Sequence, residues 1–240
     1  MKKGSLKGLI FREIYSNRKS YISATLLFFD VSVFMILVQL SLQIGNLSKL
    51  PDFVGEFKND FTLIMIYAPV IMAAYIGSAE QATVRDCKKG WMRFQYTTPV
   101  SEFRFSLVRY MCILVGTLIG YLFGLLHTAI ICGMSGMAFD YTMLATVTAL
   151  VVFAVLFNTV LGVLIQVFGS IEKAGIVLLG VCMSAALVFF SNVSQNESDA
   201  MAEKLTNLSE TLLPFMPLIF IAVLALGCGL STLVLKRREK

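Results

Sequence analysis

Six long apolar runs divide this 240-residue chain: roughly Tyr21 to Leu42, Phe61 to Ser78, Phe105 to Ile131, Tyr141 to Phe168, Ala174 to Phe190 and Leu213 to Leu235. An α-helix rises about 1.5 Å per residue, so about 20 consecutive apolar residues carry it through the hydrocarbon core of a bilayer. All six runs qualify, the second and fifth with least to spare. With 57% hydrophobic and 15% charged residues, little is left for a soluble core. The expected fold is a single all-α polytopic membrane domain over residues 1–240, with six transmembrane helices.

The basic residues segregate between the runs. One set of segments holds Lys2, Lys3, Lys7, Arg12, Arg18, Lys19, Arg85, Lys88, Lys89, Arg93, Arg104, Lys173, Lys236, Arg237, Arg238 and Lys240, with Arg109 just inside the third run. The other set holds only Lys49, Lys58 and Lys204. Cytoplasmic loops carry the excess of Lys and Arg, which puts both termini inside, as an even number of spans requires. The net charge of +5 sits beside helix ends, where it meets anionic lipid headgroups, so the partner read from it is the bilayer and not nucleic acid.

Before the first run, Leu6, Leu9, Ile10 and Ile14 recur at helical spacing among Lys3, Lys7 and Arg12. Residues 1–20 therefore read as a helix in the headgroup layer. The first run is too long for a signal peptide and no A-x-A site follows it, so it is expected to stay as a span. The five cysteines form no C-x-x-C pair or disulfide framework. His127, the only histidine, lacks a second imidazole for a metal site and reads as an interfacial or packing residue. The outer loop, 191–212, is polar and net acidic, with Met201, Leu205 and Leu208 spaced for a short amphipathic helix. The N-x-S/T triplets at Asn46, Asn192, Asn196 and Asn207 all fall on the side assigned as outer.

No catalytic constellation is present in the sequence: no H-E-x-x-H, no G-x-S-x-G, no paired intramembrane acids and no Gly-Lys-Ser/Thr phosphate loop. If the protein uses ATP, another chain hydrolyses it. Gly116, Gly120 and Gly124 form a stripe on the third run that lets a neighbouring backbone approach, either within the protomer or at a dimer seam. Asp30 lies nine residues into the first run, about 13 Å along a helix. An intramembrane carboxylate is paired, protonated or turned to a wet cavity. Arg109 is a candidate partner across a mismatch in depth, and a place in a substrate path is the other reading. Asn158 and Gln166 are candidates for helix-to-helix hydrogen bonds.

The inner loop, 79–104, carries the most information. Asp86 and Lys88-Lys89 lead to Gly90 and then to Trp91, Met92, Arg93, Phe94 and Tyr96, the mixture of aromatic, Met and Arg side chains that fills interface centres. Pro99 biases Thr98 towards extended geometry, and Ser101 with Glu102 starts a new helix that returns into the membrane. The combination of Asp86, Gly90, Trp91, Pro99-Val100-Ser101 and the closing Arg109-Tyr110 resembles the cytoplasmic coupling loop of ABC-2 type transporter permeases. Within that family it is similar to the small bacterial permeases of phenol-soluble modulin and other peptide exporters. Cys87-Lys88-Lys89 departs from the more acidic stretch common there, which bears on the identity of the partner more than on its class.

The resemblance implies a multi-pass subunit of the bacterial cytoplasmic membrane, dimeric and most simply a homodimer. It also implies two separate cytoplasmic ATPase subunits that bind ATP and Mg, while this chain binds no cofactor. The loop around Trp91 would seat in a groove of the ATPase, and the cargo would be an amphipathic peptide or another membrane-partitioning compound. Two alternatives stay open: Trp91, Arg93 and Phe94 as lipid-interface anchors of the loop, and the whole chain as an immunity or sensor protein that binds a toxic peptide without pumping it.

Overall fold

The computed structural model describes residues 6–44, 65–77, 83, 86, 100–135, 139–192, 204 and 207–238. Among these the chain is helical, with no strand. The principal helices are α1 (Leu6–Ile44), α2 (Met65–Ile76), α3 (Glu102–Ser135), α4 (Tyr141–Phe168), α5 (Ile171–Asn192) and α6 (Met216–Arg238). The segments Glu102–Gly133, Tyr141–Phe168 and Asn207–Arg237 are three helices long and apolar enough to cross a membrane, and Tyr21–Phe34 and Met65–Ile76 are shorter apolar helices.

The N-terminal amphipathic stretch and the first apolar run form one element. α1 has 39 residues, about 58 Å at helical rise, so it outruns the ~30 Å hydrocarbon core and its first turns lie beyond it. Its apolar residues point outward: Leu6, Ile10, Ile14, Ile22 and Leu26 are exposed. Its buried positions include Glu13, Asn17 and Ala24. Lipid accepts apolar side chains as readily as a core does, so the polar groups are the ones that gain by turning inward.

Local chemistry sets the helix ends. Ser101 precedes α3, and its Oγ accepts from Arg104 N at 3.4 Å, the N-cap arrangement, with Glu102 in the first turn where the helix dipole favours an acid. Asp140 caps α4 by accepting from Met143 N at 2.8 Å. α4 ends at Gly169, whose φ of 68° lets its N–H reach Ile165 O, and α5 begins two residues later. At the opposite end, Thr142 Oγ1 donates to Glu210 Oε1 at 2.5 Å, tying the start of α4 to the helical turn before α6.

The helices pack as a bundle around α3, α4 and α6, with α1 and α2 against α3 and with α5 against α4. Tyr110, Ile113, Val155, Phe220, Leu224 and Cys228 form the central apolar cluster. Leu161, Ile165, Ala174 and Leu178 join α4 to α5. The glycine stripe of α3 lies against α2 within the same chain. A Cβ at Gly116 would stand 2.8 Å from Ile76 O, one at Gly120 would stand 2.5 Å from Met72 O, and one at Gly124 would collide with Pro69. In lipid such close backbone contact supplies the dispersion energy that water exclusion supplies elsewhere. Replacing Gly120 with Val is expected to force α2 and α3 apart, at about 1–3 kcal/mol for an overpacked contact. Thermal unfolding in detergent should show a lowered midpoint, while the same change at Gly133, which has open space around it, should have little effect.

Candidate functional site

The most concentrated chemistry among the described residues is a buried ion cluster at the end of the bundle assigned as cytoplasmic. Asp86, from the inner loop, accepts from two guanidinium groups: Arg12 Nη2 to Oδ1 and Arg109 Nη2 to Oδ2, both at 2.6 Å. Glu13 Oε1 lies 3.5 Å from Arg109 Nη2 and 3.7 Å from Arg12 Nη1. Arg109 also donates from Nη1 to Thr83 Oγ1 at 3.1 Å. Two cations thus face two carboxylates, and the formal charges cancel.

The setting makes these contacts strong. The Arg109 side chain is 2% exposed, Glu13 4% and Asp86 9%, so little water screens them. The Phe105 ring is shared by both cations, with Arg12 Cζ at 5.1 Å and Arg109 Cζ at 4.7 Å from its centroid, within cation–π range. Phe105 packs in turn with Leu235 of α6 and Leu9 of α1. Each arginine extends its aliphatic stem and directs its fork at a carboxylate, a use that suits guanidinium better than ammonium.

The cluster unites segments distant in sequence. Arg12 and Glu13 come from the first turns of α1 and Arg109 from the start of α3, while Thr83 and Asp86 are helical residues of the segment 79–104 that the sequence marked as the inner loop. One carboxylate therefore connects the loop to two helices. Removing either partner of a buried ion pair leaves an uncompensated charge, which costs about 3–5 kcal/mol.

A second buried polar line crosses the bundle close by. Ser106 Oγ donates to Ser231 Oγ at 3.3 Å, and Ser231 Oγ donates to Gln166 Oε1 at 2.7 Å. It joins α3, α6 and α4 through side chains shielded from solvent.

Several residues singled out from the sequence fall in or near these features, and others do not. Asp86 and Arg109 meet directly. Arg109 does not meet Asp30: its charge is answered by Asp86 and Glu13, while Asp30 is exposed on α1 and makes no ion pair among the described residues. The depth mismatch between the two is the reason. Asn158 Nδ2 donates to Ala74 O at 3.3 Å, linking α4 to α2. His127 is buried against Phe28, with ring centroids 5.5 Å apart. Lys88, Lys89, Gly90, Trp91, Met92, Arg93, Phe94 and Pro99 lie outside the described residues, as does most of the outer loop. No group of three or more His, Cys, Asp or Glu side chains among the described residues could hold a metal ion.

Glu13 was not apparent as a site residue from the sequence, and Arg12 was apparent only as one of many inner cations. The available signal was Glu13 and Asn17 at i and i+4 on an otherwise membrane-facing helix, a polar stripe that needs an inward partner. Comparisons with protein-family models, with curated proteins and with solved structures gave no match.

The coupling inside the cluster can be measured by a double-mutant cycle. Asp86→Asn and Arg109→Gln should each lower stability in detergent by about 3–5 kcal/mol. The double variant should be more stable than the summed losses by about 1–3 kcal/mol. Strictly additive losses would show that the two groups do not act as a pair.

Proposed function

We propose that this chain is the permease subunit of an ATP-driven exporter of the ABC-2 type, with six spans, both termini cytoplasmic and a location in the bacterial cytoplasmic membrane. It works as a dimer, most simply of two identical copies, with two cytoplasmic ATPase subunits that hold ATP and Mg. The loop residues Lys88 to Phe94, centred on Trp91, dock on the ATPase. The cargo is an amphipathic peptide or another membrane-partitioning compound, since the spans offer few fixed charges for a polar solute.

The observation that carries the reading is the clamp on Asp86. A loop that receives force from a partner needs a stiff connection to the helices it moves, and a flexible surface loop would dissipate the displacement. Asp86 is joined by one charge-assisted hydrogen bond to α1, through Arg12, and by one to α3, through Arg109. Movement of the segment just before Lys88-Gly90-Trp91 therefore pulls directly on the helices that flank α2. The apolar helices and the resemblance of the inner loop support the same reading.

Purification from the native membrane in mild detergent tests it. A soluble ATP-binding protein should co-purify with ATPase activity, and Trp91→Ala or Arg93→Glu should remove both. Arg109→Gln should behave differently, keeping the partner bound while transport in reconstituted vesicles falls at least tenfold. If the chain purifies alone and still protects cells against a peptide when any ATPase partner is catalytically dead, the export reading is wrong and a sensor or immunity protein takes its place.

A further inference from the structure

His127 is 2% exposed, and neither its Nδ1 nor its Nε2 has a hydrogen-bond partner. Among the described residues it is the only side chain with two buried polar atoms left unpaired. A neutral imidazole presents one N–H donor and one lone-pair acceptor, and buried groups of either kind are costly to leave without a partner. The ring of Phe28 stands edge-on to the imidazole, with centroids 5.5 Å apart. Its χ2 torsion is soft, so either nitrogen can be turned towards open space.

That space is on the page. His127 lines a groove of about 220 Å³, together with Phe28 of α1 and Tyr67, Ile71 and Met72 of α2 among others. The lining is almost wholly apolar. Tyr67 and Ile71 are half exposed, so the groove opens sideways, and in a chain with membrane-crossing helices such an opening faces acyl chains. A water molecule drawn in would meet almost no polar surface besides the imidazole, short of the two to four partners that a buried water needs. A charged ligand would find no opposite charge on the walls. The fitting occupant is therefore neutral, mostly apolar and equipped with a single hydrogen-bonding group.

Size and shape narrow it further. An apolar cavity of ~150 Å³ takes up benzene, so this groove admits an aromatic ring with a short alkyl chain. A hydroxyl both donates and accepts, so it pairs with whichever imidazole nitrogen faces it, and a phenol keeps its proton at neutral pH. From the unpaired imidazole and its apolar, aromatic surroundings, we infer that the groove at His127 is a binding site for a neutral short-chain alkylphenol. The hydroxyl pairs with His127, and the ring rests between Phe28 and Tyr67. The inference rests on the membrane character of the chain and is independent of the transport reading.

Because His127 is the only histidine, nitrogen NMR of the untagged full chain, labelled with 15N-histidine and held in detergent at neutral pH, reads this imidazole alone. Titration with 4-propylphenol should shift its signals saturably. Propylbenzene, the same shape without the hydroxyl, should need about tenfold more to compete the shift away, the scale of one net hydrogen bond. Both are counted as mole fraction in the micelle, which removes their difference in partitioning. Ile71→Trp, which fills the groove from a half-exposed position, should abolish the shift, and Leu122→Trp, on the exposed face of α3, should leave it intact. A shift that never saturates, equal competition by propylbenzene, or a shift that survives Ile71→Trp would overturn the assignment. Since the chain is tested alone, none of these results bears on whether it works with an ATPase.

Discussion

A carboxylate held between two guanidinium groups, largely out of reach of water, is the contact on which one end of this bundle depends. The attraction between opposite charges grows as the surrounding dielectric falls, but so does the cost of burying each charge alone. The cluster resolves this by matching two cations with two carboxylates and by setting the Phe105 ring against both guanidinium groups. Such an arrangement is all or nothing. With every member present it fixes α1, α3 and the inner loop in one geometry, and with one absent the remaining charges lack any nearby alternative.

The rest of the bundle is held by contacts suited to lipid, where apolar side chains gain little by leaving one hydrocarbon environment for another. The glycine stripe of α3 brings backbone to backbone against α2. The Ser106–Ser231–Gln166 line and the Asn158 bond to Ala74 O add directional contacts between four helices. Large apolar residues such as Phe11, Phe34, Leu122, Ile176 and Leu218 stay exposed and meet the bilayer. Ion cluster, glycine seam and hydroxyl line are thus three solutions to one problem: holding helices together without the aid of water.

The helical architecture was readable because apolar run length is set by bilayer thickness, a constraint that operates residue by residue along the chain. Ser101 was readable as a cap for the same reason, since N-capping is local. The partner of Arg109 was not, because three-dimensional packing decides it: the sequence offered only Asp30, across a mismatch in depth, and gave no sign that Asp86 and Glu13 converge on Arg109. Glu13 was hidden by a pattern that usually works. Leu6, Ile10 and Ile14 mark the apolar face of an amphipathic helix, but in a membrane that face looks outward, and the polar side between Glu13 and Asn17 is the one that packs. The loop centred on Trp91, which carries the family resemblance, falls outside the described residues, so its reading still rests on residue chemistry alone.

The cluster also has a dimension in time. Nearly 100 residues separate Glu13 from Arg109, and a ribosome adding roughly 5–20 residues per second needs about 5–20 s to cover that distance. Through that interval the first helix must wait with its polar face unanswered, unable to settle against lipid, until the third run emerges carrying the charge that completes it. The N-terminal turns, made first, therefore cannot reach their final place before the third run has been made.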